Sequence, residues 1–432
     1  MTLTDIEACG VVGAGGAGFP THVKLHSTPD TIIVNAAECE PLMHKDMEII
    51  LHHSEEVLRG LDAVMRITGA RNAIIGIKEK HAAEIALLES GVKGNTRVVP
   101  VEDVYPAGDE ITLIYMTTGR VVLPGALPIS AGCVVQNVET LYNIGAGTPV
   151  VEKFIAVAGA VEEPATVKVP VGISYAEVLS HFRITAPQYV VRSGGLMMGA
   201  LEEDLTEVVS KRTGALIVLP PDHYCVTMYR RFRTDHDTDR IAKAGCDQCT
   251  LCTEFCPRYL LGQPVRPETA MRNRMFTRED QPMLFPGNLS CCECNLCTMY
   301  ACPEGLDPRG ATVIEKRLAR EQNLRWTGSD IAVHPMYEYR KVPTGKLKQR
   351  LDVLKFRDEG PLRALALDPA SVRVPLNEHA GAAAEPVVAE GQSVRKYDLI
   401  GKAVGKISSN VHASIAGTVE GIAADAVHIR RT

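Results

Sequence analysis

Eight of the chain's thirteen cysteines sit in two short runs, and these limit what the chain can fold into more than any other feature. The first run is Cys246-x2-Cys249-x2-Cys252-x3-Cys256 followed by Pro257, and the second is Cys291-x2-Cys294-x2-Cys297-x4-Cys302 followed by Pro303. Met1 to Cys9 has neither the basic flank nor the apolar run of a secretory signal. No apolar stretch approaches the length that spans a bilayer, so no transmembrane segment is expected. In a cytoplasmic chain disulfides are rare, and clustered cysteines point to metal or redox chemistry.

The spacing matches the bacterial ferredoxin run. There, three closely spaced thiolates bind one iron–sulfur cube, and the cysteine before the proline ligates the other. That rule predicts two 4Fe–4S clusters, one on Cys246, Cys249, Cys252 and Cys302, the other on Cys291, Cys294, Cys297 and Cys256. Thiolates are the soft ligands such clusters require. Zinc is the competing reading, but it ordinarily takes two separated C-x2-C pairs, whereas each run here offers four cysteines and ends in Cys-Pro. The x4 gap before Cys302 departs from the ferredoxin pattern. Cys292 breaks the x2 spacing and reads as a neighbour, not a ligand. The 34 residues between Cys256 and Cys291 predict helical connections. Cys9, Cys39, Cys133 and Cys225 are scattered and read as small buried hydrophobes.

With 432 residues the chain is expected to form two to four domains, and a hydrophobic content of 45% is enough to fill their cores. A net charge of −6 speaks against a nucleic-acid surface. The N-terminal third alternates. A short helix is expected at Thr4 to Cys9 with Thr4 as its cap, then the glycine-rich stretch from Gly10 to Pro20, then a helical start at Thr21 to Leu25. Strands follow at Thr31 to Asn35, Asn72 to Lys78 and Thr96 to Val101. Between and after them lie helices at Lys45 to Thr68, His81 to Glu89 and Glu110 to Met116. The longest carries Met47, Ile50, Val57, Leu58, Leu61 and Met65 near one stripe. Such alternation predicts a largely parallel sheet whose ligand sits beyond the carboxyl ends of its strands. A glycine-rich turn before a helix offers backbone N–H groups to a phosphate.

Four segments in order sharpen that expectation. They are Gly15-Gly16-Ala17-Gly18-Phe19-Pro20-Thr21-His22-Val23-Lys24; Asn35-Ala36-Ala37-Glu38-Cys39-Glu40-Pro41 followed by Lys45-Asp46; Tyr105-Pro106-Ala107-Gly108-Asp109-Glu110; and Gln136-Asn137-Val138-Glu139-Thr140-Leu141. Together they resemble the flavin segments of the Rnf complex C subunit and of the flavin subunit of respiratory complex I. The resemblance implies FMN and NADH as cofactors. Gly15, Gly16, Gly18 and Lys24 would cradle the FMN phosphate. Asn35, Glu38 and Asn137 would hydrogen-bond the flavin or its ribityl chain, and Phe19 and Glu110 would lie near the nicotinamide nucleotide. Asp46 and Thr140 are the weakest positions and are left out of the site. No residue is given a catalytic role beyond cofactor binding.

The expected fold class is multidomain α/β and α+β. A flavin-subunit-like α/β domain spans 1–150 and a β-grasp module 151–220. A helical dicluster ferredoxin module spans 236–330, and an all-β barrel-sandwich hybrid-like domain 340–432. The β-grasp module is expected to act as a spacer between flavin and clusters. Its paired strands would be Phe154 to Ala158 and Ala165 to Val169, with a helix at Tyr175 to Ser180, and 211–219 would be a strand leading to the cluster domain. The last domain lacks the lysine that a lipoyl carrier needs, since Asn410-Val411-His412-Ala413 stands at the corresponding tip, so a structural or docking role is expected. In the Rnf C subunit the hybrid domain precedes the flavin domain; here it comes last. That order resembles the cobalamin reductase family of propanediol-utilisation microcompartments.

The second resemblance implies an NADH-dependent oxidoreductase that reduces corrinoid cobalt, with the flavin splitting a two-electron hydride into single electrons for the clusters. Implied partners are NADH, a corrinoid or a corrinoid enzyme or adenosyltransferase, and a microcompartment shell protein. The implied location is cytoplasmic, inside or on a bacterial microcompartment. Two alternatives remain. One is an Rnf C-like relay to ferredoxin or a radical-activating enzyme. The other is a non-enzymatic docking scaffold, which would have no use for eight thiolates at cluster spacing.

Overall fold

The computed structural model describes residues 1–232, 234–276, 283–328 and 331–432. Parts of the expected dicluster module, 277–282 and 329–330, lie outside the described residues. Strands Thr31–Ala36, Asn72–Lys78, Thr96–Val101 and Cys133–Asn137 form a four-stranded sheet in which every pairing is parallel. Thr31–Ala36 lies between Asn72–Lys78 and Cys133–Asn137, so the topological switch opens beyond Ala36 and Asn137. Helix Lys45–Thr68 covers one face, burying Met47, Ile50, Val57 and Leu61. It crosses helix Val138–Ala146 at very short range. A Cβ on Gly60 would lie 2.0 Å from the Leu141 carbonyl oxygen, and one on Gly145 would lie 1.8 Å from that of Glu56. Only glycine permits this approach.

The next unit is a mixed sheet. Glu152–Gly159 pairs antiparallel with Ala165–Pro170 and parallel with Ala215–Leu219, which pairs antiparallel with Val190–Ser193, itself paired with Ala200–Glu202. Helix Tyr175–Ser180 packs against it through Tyr175, Val178 and Leu179. This is a β-grasp order, with the first and last long strands parallel at the centre. The expected strand at 211–219 begins only at Ala215, because Ser210 and Thr213 close a turn in which the Ser210 N–H donates to Thr213 Oγ1 at 3.0 Å. The first helix also starts earlier than expected. Thr2, not Thr4, caps Leu3–Ala8 in a reciprocal box with Asp5.

The cysteine runs lie among short helices, Leu251–Glu254, Pro257–Leu260, Pro267–Phe276 and Pro308–Glu321, the last capped by Asp307. The C-terminal unit is all β. Ser371–Pro375, Ala426–Arg430, Gly417–Ile422 and Ser393–Val394 form one sheet, and Glu385–Pro386, Leu399–Lys402 and Val411–His412 form another. They enclose a core that includes Val374, Leu376, Ile400 and Val411. No described helix is long and apolar enough to cross a membrane.

Candidate functional site

A cavity of about 290 Å³ opens at the carboxyl ends of the parallel strands. One side of it is Ala14, Gly15 and Gly16, another is Asn35, Glu38 and Asn137, and Glu110 stands at a third. Gly18, Phe19 and Lys24 do not line it. Lys24 reaches it only through Glu110, to which its Nζ donates at 2.8 Å. Gly16 has φ +109° and Gly18 φ +65°, backbone that favours glycine. The loop N–H groups divide sharply. Those of Gly13, Ala14 and Gly18 are used by Phe19 O, Thr140 Oγ1 and Gly13 O. Those of Gly15, Gly16 and Ala17 have no partner among the described residues. Three successive free N–H groups at a cavity edge form a nest for a phosphate.

Beneath the loop lies a buried chain of charges. Lys45 Nζ contacts Asp46 Oδ1 at 2.5 Å and Glu139 Oε2 at 3.2 Å. Glu139 also pairs with Lys153, whose Nζ donates to the Ala14 carbonyl at 3.1 Å. Asp46 Oδ2 accepts from Asn137 Nδ2 at 2.8 Å, and the Asp46 N–H donates to Glu38 Oε2 at 3.2 Å. The network orients the loop from below through Ala14 and fixes the Asn137 side chain. It leaves Glu38 Oε1 buried without a hydrogen-bond partner. Burial, reinforced by the nearby Asp46 carboxylate, pushes the Glu38 carboxyl up to about 8, so it is protonated at neutral pH. A neutral acid with a free buried oxygen fits a bound ring that accepts or donates hydrogen bonds. Gln136 Nε2 is buried and unpartnered as well. Gln136 does not line the cavity, but the free nest and the orphaned Glu38 oxygen fit FMN. Of the two residues left out of the site on sequence grounds, Asp46 lines the cavity, and Thr140 Oγ1 accepts the Ala14 N–H of the loop.

The fourth wall is the second cysteine loop, since Cys292 and Cys294 line the same cavity. Three contacts hold it there. Tyr105 Oη donates to the Cys294 carbonyl at 2.6 Å. Asp109, which caps helix Glu110–Thr118, pairs with Arg258 at 2.7 Å, and the Arg258 guanidinium in turn bonds the Cys292 side chain. The β-grasp loop around Met197 is the third. Its N–H groups at Met197 and Met198 donate to the Glu40 carboxylate at 2.8 and 2.9 Å. Its Met197 carbonyl accepts from Asn295 Nδ2 at 3.1 Å and from Tyr229 Oη at 2.8 Å. The β-grasp module thus joins the flavin-side segment Asn35–Glu40 to the residue that follows Cys294.

The two cysteine loops repeat one backbone. Gln248 and Thr250, flanking Cys249, have φ +56° and +67°, and Glu293 and Asn295, flanking Cys294, have φ +59° and +67°. Left-handed non-glycine residues cost about 1–3 kcal/mol each and persist where the surroundings impose them. Their recurrence at matching positions marks two copies of one ligand-wrapping turn. The extra residue of the second run is absorbed by a π turn over Cys297–Ala301, in which the Cys302 N–H donates to the Cys297 carbonyl at 3.1 Å. Cys246, Cys249, Cys252 and Cys302 line one small cavity, bordering a space instead of meeting at a point. Cys249 is exposed, whereas Cys256, Cys294 and Cys297 are buried. Burial and neighbouring thiols push Cys252 up to about 12, and burial and Cys292 push Cys291 to about 11, so iron must displace protons to bind.

Comparison with known proteins agrees with this division. Residues 6–146 match the Nuo51 FMN-binding domain, 245–307 a 4Fe–4S dicluster domain and 355–431 the RnfC barrel sandwich hybrid domain. Cobalamin reductase PduS of Salmonella typhimurium is 38% identical over 434 aligned residues, covering 99% of this chain and 95% of that protein. The chain belongs to the PduS family. PduS of Citrobacter freundii is likewise 38% identical with the same coverage. The C component of the proton-translocating ferredoxin:NAD(+) oxidoreductase complex of Clostridium ljungdahlii is 31% identical over 60% of this chain and 56% of that one. As a PduS family member the chain is an oxidoreductase that uses FMN and two 4Fe–4S clusters. The family's flavin domain accounts for the nest and its cavity, and its dicluster domain for the paired loops.

Proposed function

We propose that the chain is an NADH-dependent corrinoid reductase that delivers single electrons to corrinoid cobalt, inside or on a bacterial microcompartment. The observation that carries this reading is the shared cavity, with the phosphate nest on one wall and Cys294 on the opposite one. When bound, FMN supplies the exchange between a two-electron hydride and one-electron transfers. The chain's own residues do the rest. The N–H groups of Gly15, Gly16 and Ala17 bind phosphate, and the Arg212 guanidinium at the cavity mouth adds positive charge. Gly18 shapes the loop. Asn35 and Asn137 present amides, and Glu38 holds a proton at its carboxyl. Glu110, paired to Lys24, and Phe19 lie toward the nicotinamide side with the Tyr105–Glu110 segment. Cys291, Cys294, Cys297 and Cys256 hold the cluster next to the flavin. Cys246, Cys249, Cys252 and Cys302 hold the one nearer the surface, where electrons leave. Domain limits of 1–150, 151–220 and 236–330 fit these tasks, whereas the limit at 340 takes in Val342–Pro343 and Leu362–Arg363, which pair with Val104–Tyr105 and with the strand Ala165–Pro170, ahead of the C-terminal sheets; a shell protein is the natural docking partner of a microcompartment enzyme.

Purification without oxygen, with counts of iron, sulfide and flavin, tests the cofactor set. NADH oxidation with cob(III)alamin, compared with a generic dye, tests the acceptor. Activity with dye and none with the corrinoid would replace this reading with a relay to another acceptor. A colourless, iron-free preparation would end it.

A further inference from the structure

The C-terminal barrel sandwich hybrid domain packs on the glycine-rich loop through Asn410, the last residue of the turn between strands Leu399–Lys402 and Val411–His412; this corrects the expectation that Asn410 to Ala413 form a tip. The Asn410 carbonyl accepts from Lys211 Nζ at 3.1 Å, and the same Nζ donates to the Gly10 carbonyl at 3.0 Å. Packing is tight: a Cβ on Gly10 would lie 2.2 Å from the Asn410 oxygen. Lys211 is only 2% exposed, and its charge is met by Glu378 Oε1 at 3.2 Å, whose side chain is fully buried. Glu378 also accepts the Lys211 backbone N–H, through Oε2 at 3.1 Å. At the other end of the glycine-rich loop, the Ala380 N–H donates to the Gly18 carbonyl at 2.9 Å. Between the two ends, Arg212 Nε donates to the Gly16 carbonyl at 3.0 Å. A Cβ on Gly18 would lie 2.9 Å from the Arg212 side chain and 3.3 Å from the Glu378 carbonyl.

The pattern has one sense. Carbonyls at Gly10, Gly16 and Gly18 are pulled outward by the 210–213 turn and the C-terminal domain. N–H groups at Gly15, Gly16 and Ala17 are left pointing free. A loop with so much glycine has many conformations in isolation, and ordering it costs about 1–2 kcal/mol per residue. Holding its carbonyls from behind removes that cost from flavin binding.

We propose that the barrel-sandwich domain is a clamp that holds the glycine-rich loop in its flavin-binding shape, with Lys211 and Glu378 as positioning residues. The proposal rests on FMN occupying the cavity. Clamp closure and FMN binding are then coupled, and the coupling is reciprocal. Glu378→Gln leaves Lys211 buried beside a neutral partner and loosens the clamp without touching the cavity.

The test is FMN affinity, read by flavin fluorescence on anaerobically prepared protein stripped of flavin but retaining its clusters. Glu378→Gln is expected to weaken FMN binding about tenfold, and Arg212→Ala several-fold, with cluster paramagnetic resonance signals unchanged. In the unmutated chain, added FMN is expected to slow amide exchange over 376–380 and 408–412 of the C-terminal domain. Should Glu378→Gln not fold, the exchange measurement decides. FMN affinities within twofold of the unmutated chain, or no change in exchange over those segments, overturn the clamp. Failure of the unmutated chain to retain any FMN would instead overturn the functional reading on which the clamp rests.

Discussion

The two cysteine loops make the most informative comparison in the molecule. Residues 246–252 and 291–297 follow the same path, with left-handed residues on either side of the middle cysteine. Their surroundings differ. Cys249 is exposed to solvent, whereas Cys294 is buried, its carbonyl bonded to Tyr105 and its neighbour Asn295 bonded to Tyr229 and the Met197 carbonyl. One turn has been used twice, once to face a cofactor cavity and once to face outward. The backbone repeats the turn, and the packed side chains give its two copies different settings.

The largest effect should come from removing one middle cysteine at a time. Cys294→Ala is expected to abolish reduction of the remaining cluster by NADH. Cys249→Ala is expected to keep FMN and a reducible flavin-side cluster while iron falls to about half. Freeze-quenched paramagnetic resonance after NADH addition separates the two, and a full cluster signal in Cys249→Ala would refute its ligand role. Next comes the π turn. Deleting Tyr300 would give the second run the x3 gap of the first, yet the cluster expected to suffer is that of the first loop, because Cys302 lines the cavity of Cys246, Cys249 and Cys252. Loss of the flavin-side signal instead would break the crossed pairing.

A third test concerns the cavity that the second loop walls. The Glu38 carboxyl sits near 8 in the folded chain, against 4.5 as its ordinary value. The folded state therefore binds the proton more tightly than the unfolded state. The stabilisation is complete below about pH 4.5 and is lost as pH rises through 8, at most about 5 kcal/mol in all. Thermal melts of flavin-free protein should fall across that window, and Glu38→Gln should flatten the fall. The smallest effects separate strain from contact. Thr250→Gly relieves a left-handed residue and should stabilise by about 0.5–1 kcal/mol in urea titrations. Asn295→Gly relieves the same strain but deletes two hydrogen bonds, so it should destabilise by about 1 kcal/mol.

Strong periodicity and spacing were legible in the chain itself. Helix Lys45–Thr68, strand Asn72–Lys78 and helix Tyr175–Ser180 fall where apolar period and flanking residues put them. The cap at Thr2 was open to reading, since Thr2-x-x-Asp5 carries the reciprocal pattern, but Thr4 offers a competing hydroxyl. In the site, residues quoted for their position in a motif were easier to find than residues that act by distance. Arg212 carries no motif at all, and Asp46, though quoted with the second segment, was set aside for this reason. Asp46 matters through Asn137, ninety-one positions away, and Arg212 through Gly16, 196 positions away. No local pattern encodes such meetings. The π turn was visible only as a surplus residue, because spacing counts residues and not the path they take.

The placement of Cys302 on the same cavity as Cys246 has a consequence for biogenesis. During synthesis the first loop leaves the ribosome with three of its four thiols, and the fourth arrives only after the second loop has been made. On the crossed pairing, neither inorganic core can be completed until the second loop has been made. Truncated products are left with unfilled, oxidisable thiols, and cluster delivery becomes a test that only the full-length module passes.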